Sequence, residues 1–184
     1  PARTRRKKTS RRKRKSFSLQ RRKVSFVKEV RVEIGNESRI VPFDEERGAG
    51  LVRRILTDAG FRRGLVEVTI TNNPSIHRLN AQSLGHDYPT DVLAFETECD
   101  PESGLLEGNV IVSDETAAER AADYGWSAES ELLLYVVHGA LHLVGYNDHT
   151  QDDEPQMRAK EREYLALVGI TEVAGPDDLG KKED

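Results

Sequence analysis

Cysteine is nearly absent: Cys99 is the only one in 184 residues. A single thiol excludes an internal disulfide framework and a thiolate-rich zinc site, and it fits a reducing, cytoplasmic setting. Long apolar runs are missing too. The longest stretch without Asp, Glu, Lys or Arg, Leu132 to Asn147, has 16 residues and contains two histidines, too short and too polar to cross a bilayer. No membrane partner is expected. Acid is missing from the first 23 residues, Pro1 to Lys23, which hold 13 of the chain's 28 Lys and Arg. The other 161 residues carry 15 basic against 32 acidic groups, so a basic arm precedes an acidic body of net charge about −17, and the overall charge of −4 describes neither.

Three regions follow: an arm over 1–23, a body over 24–170 and a polar tail over 171–184. Beyond Phe17 and Leu19 the arm has almost nothing apolar, cannot offset the entropy of ordering, and is expected to be disordered on its own. A transit peptide is the alternative, ranked lower because so many charges leave no apolar face for a targeting helix. The chain does not begin with Met, which leaves open where the protein starts.

In the body, Val30 to Ile34 alternates with period two, the mark of a half-buried strand. After Asp44, an N-cap type, Leu51, Val52, Ile55 and Leu56 recur at helical spacing and Gly60 stands where that helix ends. Leu65 to Ile70 reads as a strand stopped by Asn72-Asn73-Pro74, Ser75 to Ser83 as a short helix, and 91–95 and 109–112 as two more strands. Ser113 and Ser127 are expected to cap two helices whose first turns carry acids. A last helix is expected from Asp153 to Val168, with the acids Asp152, Asp153 and Glu154 opening it rather than binding a second ion. The class is α+β, a small mixed β-sheet packed against helices in a single domain of zinc-hydrolase type.

Three of the five histidines fall within twelve residues, His138 to His149. His138 and His142 are spaced i, i+4 on a helical stretch, so both imidazoles leave one face within reach of one ion. Gly145 lets the chain turn off the helix, and either Asp148 or His149 can swing back as third ligand. An isolated pair would be read as two histidines satisfying each other; with the glycine and the Asp-His turn, one metal ion, by ligand type zinc, is the better reading. A protease of the H-E-x-x-H type needs a glutamate beside its first ligand, and here that place is Gly139. A general base must come from elsewhere. The sequence leaves the catalytic residues unassigned.

The run His138 to Tyr146 resembles the H-G-x-L-H-L-x-G-Y-D-H signature of the YbeY family. The resemblance extends to Leu79-Asn80, to Pro89 through Phe95 (similar to P-T-D-V-L-S-F), to Gly108-Asn109-Val110 with Val112, and to Met157. It implies an α+β fold with zinc at the three-ligand motif, cleavage of single-stranded RNA, and a role in 16S rRNA 3′-end maturation and ribosome quality control. The implied partners are rRNA and the small ribosomal subunit, with the arm contacting RNA. Three departures matter. An ungapped match to the signature puts the third ligand at Asp148 and a one-residue insertion puts it at His149; the family's arginine near the strand motif is Leu84; and Asn109 replaces a common acid. Leu84 can donate nothing to phosphate, which favours a rival reading as a ribosome-associated assembly factor with structural zinc and no cleavage. Asp91 is either a carboxylate orienting a ligand imidazole or a turn cap. His86 is read as a loop residue before a substrate contact, and Trp126 and Tyr124 as packing. Leu132, Leu133, Tyr135, Val136, Val137 and Leu141 are expected in the core.

Overall fold

A computed structural model describes residues 29–171. The basic arm, and the tail apart from Thr171, lie outside the described residues. Nine elements follow in order: β1 (Val30–Asn36), α1 (Glu45–Asp58), β2 (Gly64–Thr71), α2 (Asn73–Ser83), β3 (Val92–Asp100), β4 (Leu105–Ser113), α3 (Asp114–Tyr124), α4 (Ala128–Leu143) and α5 (Glu154–Ala166). The strands form one sheet in the order β1-β2-β4-β3. β1, β2 and β4 run parallel and β3 pairs antiparallel with β4, so the sheet is mixed and β1 and β3 are its edges.

Period-two alternation divides the two faces. Val66, Val68 and Ile70 of β2 and Leu106, Val110 and Val112 of β4 are buried under the helices, while Glu67 on the other face is exposed. Burying one face of each strand supplies the core at about 25 cal/mol per Å² of apolar surface. α4 is the central element, packing on α1, α3 and α5 and on β3 and β4. Contact on nearly every side explains why its middle carries no charged residue and why Leu132, Leu133, Tyr135, Val136, Val137 and Leu141 are all buried.

The caps act as their residue types dictate. The side chains of Asp44, Ser113 and Ser127 accept from the backbone N–H three residues on, satisfying otherwise orphaned donors of α1, α3 and α4. Two elements differ from expectation. α2 begins at Asn73 rather than Ser75, because the Asn72 side chain caps Ser75 N–H at 3.0 Å and Pro74 is tolerated in the first turn. The β3–β4 hairpin runs on to Asp100 and back from Leu105. Most of β3 past Phe95 is exposed, so no apolar alternation marks it, and the pairing slips by one residue between Glu96 and Glu98.

Candidate metal centre

His138 and His142 stand one turn apart near the C-terminal end of α4. The face at right angles meets the sheet: a Cβ on Gly139 would lie 2.4 Å from a Val110 methyl and 3.0 Å from one of Val92. Glycine is required there by the close approach of helix to strand, and a protease-type glutamate at that position would drive into the sheet instead of facing the histidines. The chain leaves α4 through Val144 and Gly145 (φ 96°), with Tyr146 N–H returning to Leu141 O at 3.1 Å. This left-handed residue turns the following segment back over the helix end.

The turn delivers Asp148. Its two carboxylate oxygens lie 3.5 Å from His138 Nε2 and 3.7 Å from His142 Nε2, and the two Nε2 atoms are 2.9 Å apart. Donor atoms of His138, His142 and Asp148 all fall within 4.8 Å of one another, a group that could hold a metal ion. Of the two residues considered for the third position, the structure brings in Asp148. His149 stands at the rim, its side chain 80% exposed and its Nδ1 3.7 Å from Asp148 rather than from either imidazole.

The outer nitrogens fix the chemistry of the inner ones. His138 Nδ1 lies 2.6 Å from Glu161 Oε1, and His142 Nδ1 lies 2.9 Å from the carbonyl of Tyr146. A carbonyl and an ionised carboxylate only accept, so each Nδ1 carries the hydrogen and each Nε2 presents a lone pair inward. Burial, and then His138, push the His142 imidazole below its ordinary pKa, so a proton is a poor occupant of the gap. Two facing lone pairs and a carboxylate repel one another unless a cation lies among them. Two histidines with one carboxylate are also a normal donor set for catalytic zinc, leaving further coordination positions open.

Glu161 was not singled out from sequence. It is fully buried, and Arg158 donates to its Oε2 at 3.0 Å. Burial opposes its charge, but the hydrogen bond from His138 and the Arg158 guanidinium outweigh that and hold its carboxyl below the usual range. A signal was available: on the helical stripe Met157, Glu161, Tyr164 and Leu165, all buried, the one acid occupies a core position.

The cluster lines an open cleft of about 600 Å³ whose other walls are Leu84 at the end of α2, Thr90 to Ala94 and Glu96 of the β3 edge, Leu143, Asn147 and His149. Asp91 accepts from Thr90 Oγ1 (3.0 Å) and Val92 N–H (2.9 Å), the bonds of a turn cap, and makes none to either histidine. Glu96 is an exposed carboxylate in the same wall. His86 stacks on Tyr88 in an exposed loop, its ring 5.4 Å away. Trp126 donates its indole N–H to buried Glu131 at 2.7 Å. Leu84 is exposed at the cleft wall, and Asn109 lies on β4 opposite Phe95. The side chain of Tyr124 lies outside the described residues. Asp153 precedes α5, taking a bond from Thr150 Oγ1.

A mixed four-stranded sheet whose edge strand overhangs two histidines of a buried helix and a carboxylate from the turn after it defines a small α+β domain with a cluster able to hold a metal ion. Residues 33–169 match the family model described as Endoribonuclease YbeY, and the chain belongs to that family of nucleases. It is 40% identical over 128 residues to the Endoribonuclease YbeY of Rhodopirellula baltica, covering 68% of this chain and 65% of that protein. With the Endoribonuclease YbeY of Bacillus licheniformis it shares 36% over 154 residues, covering 76% and 96%. The chain therefore spans just under two thirds of the first relative's length and nearly all of the second's. The solution structure of TM1509 from Thermotoga maritima is similar in fold, with a TM-score of 0.51 and 25% identity over 79% of this chain and 97% of that one.

Proposed function

We propose that this protein is a zinc-dependent endoribonuclease that cuts single-stranded RNA, acting in 16S rRNA 3′-end maturation and ribosome quality control in the cytoplasm. The observation that carries the reading is the convergence of His138, His142 and Asp148 on one wall of an open cleft, within a family of endoribonucleases. A zinc ion there supplies Lewis acidity toward a phosphoryl oxygen and lowers the pKa of a bound water. The chain's own residues do the rest. Glu161 and the Tyr146 carbonyl keep both imidazoles in the ligating tautomer. The partners are rRNA and the small ribosomal subunit, with the basic arm on RNA.

The test is a purified, full-length protein assayed on single-stranded and duplex RNA, with and without chelator. Loss of cleavage on chelation and its return with zinc support the reading; intact RNA under every metal condition defeats it. A second reading, an assembly factor with structural zinc, is favoured by Leu84 at the cleft wall. It would then be upheld by rRNA binding without cleavage.

A further inference from the structure

We propose that the cleft between the outer edge of β1, unpaired among the described residues, and the C-terminal half of α1 is a docking site for the phosphate backbone of single-stranded RNA, remote from the metal cluster. This rests on the ribonuclease reading and adds where the strand is held.

An acidic body repels RNA, so wherever its few cations gather carries the affinity. Five of them, Arg31, Arg53, Arg54, Arg62 and Arg63, fall on β1, on the second half of α1 and on the turn into β2. A cleft of about 550 Å³ opens at that corner, with Arg31, Arg53 and Arg62 in its walls. Arg54 is committed to Asp58 at 2.7 Å. Arg31 and Arg53 have no ion pair or side-chain hydrogen bond among the described residues, although Glu29 and Glu33 share the same walls. The carbonyls of Thr57 and Phe61 hold one nitrogen of Arg62, which fixes its guanidinium in place. Guanidinium presents a planar fork of donors that matches phosphate and stays charged at any working pH.

The chain itself supplies the second argument. Glu29 and Val30, in the wall of this cleft, are the first described residues, and only residues 24–28 separate them from the 13 Arg and Lys of the arm. Five residues span at most about 18 Å, so by chain length alone Lys23, with Arg21 and Arg22 just before it, can reach the same strand of RNA as the cleft. β1 and β3 are opposite edges of the sheet, three strand spacings or about 14 Å apart. Only an RNA of several nucleotides can touch both the Arg cleft and the metal cluster.

The experiment uses the full-length, zinc-loaded protein, with anisotropy binding of a single-stranded oligouridylate of about 30 nucleotides over a range of salt. Hydrolysis of bis(p-nitrophenyl) phosphate, too small to bridge the two clefts, is followed in parallel. Arg53→Glu is expected to weaken binding about tenfold and to lower the salt slope by about 0.7 or more, as expected when a phosphate contact to a single strand is lost. Glu33→Gln is expected to tighten binding, a gain that misfolding cannot produce. Both should leave zinc content and hydrolysis of the small ester unchanged. Unchanged RNA affinity in both variants overturns the proposal, as does equal displacement of the RNA by polyglutamate of matched charge. Charge-dependent RNA binding in a protein that cleaves neither substrate upholds this docking site while defeating the ribonuclease reading.

Discussion

Glu161 decides which nitrogen His138 offers. A buried carboxylate 2.6 Å from Nδ1 keeps the hydrogen there and the lone pair at Nε2, while Arg158 keeps the carboxylate ionised. Glu161→Gln keeps the size but lets the amide present either its oxygen or its nitrogen, so metal affinity should fall by about 10- to 100-fold in a chelator competition. Unchanged affinity would show that His138 is oriented by packing alone. Glu131 is the opposite case. Burial raises its pKa, although Tyr135 and Trp126 pull the other way, so its charged form is disfavoured in the folded state. A carboxyl whose folded pKa lies above its unfolded value destabilises once pH rises past both. Glu131→Gln, which can still accept from Trp126, should therefore raise Tm at pH 7, with the gain shrinking toward pH 4. A constant difference across that range would contradict the linkage.

At the scale of elements, the centre depends on one helix and the turn after it. Ser127 caps the N-terminus of α4, and Ser127→Ala should cost about 1 kcal/mol in denaturant unfolding without changing metal content. Gly145, at φ 96°, is what returns Asp148 to the imidazoles. A valine there is strained, and Gly145→Val should weaken metal binding more than it lowers stability. Asp148→Ala should abolish metal binding measured by elemental analysis, whereas His149→Ala should leave it nearly intact, because it is Asp148 that turns a carboxylate oxygen toward each Nε2. The reverse result would return the third position to His149. Gly139→Glu, which would recreate a protease-type pair in the sequence, should give an unstable protein instead of a peptidase, since the side chain meets Val110 and Val92.

For the whole molecule, the candidate metal site and the fold are linked through α4 and α5. α4 carries two donors, α5 carries the residue that orients one of them, and the two helices pack on each other. An ion that binds only the folded chain stabilises it by about 2.7 kcal/mol at a hundred times its Kd. Adding zinc to chelator-treated protein should raise Tm, and the rise should be absent in His142→Ala. An equal rise in that variant would place the ion elsewhere.

Periodicity and capping, both local properties, were legible in the chain. The stripe Leu51, Val52, Ile55 and Leu56, the alternation of Val30 to Ile34, and the caps Asp44, Ser113 and Ser127 each act within a few residues, where backbone geometry alone dictates the outcome. The i, i+4 spacing likewise gave the pairing of His138 with His142. Sequence could not choose between Asp148 and His149, because adjacent residues in a turn point apart and only its actual path decides which one points inward. Nor could it pair His138 with Glu161, 23 positions away on another helix, since that contact exists only once α5 packs against α4. The outer end of the β3–β4 hairpin was hidden for a related reason: it is held by hydrogen bonds to its partner strand and buries little apolar surface. Gly139 shows the same division, for its spacing excluded a protease base while the sheet lying against α4 explains why no side chain can stand there.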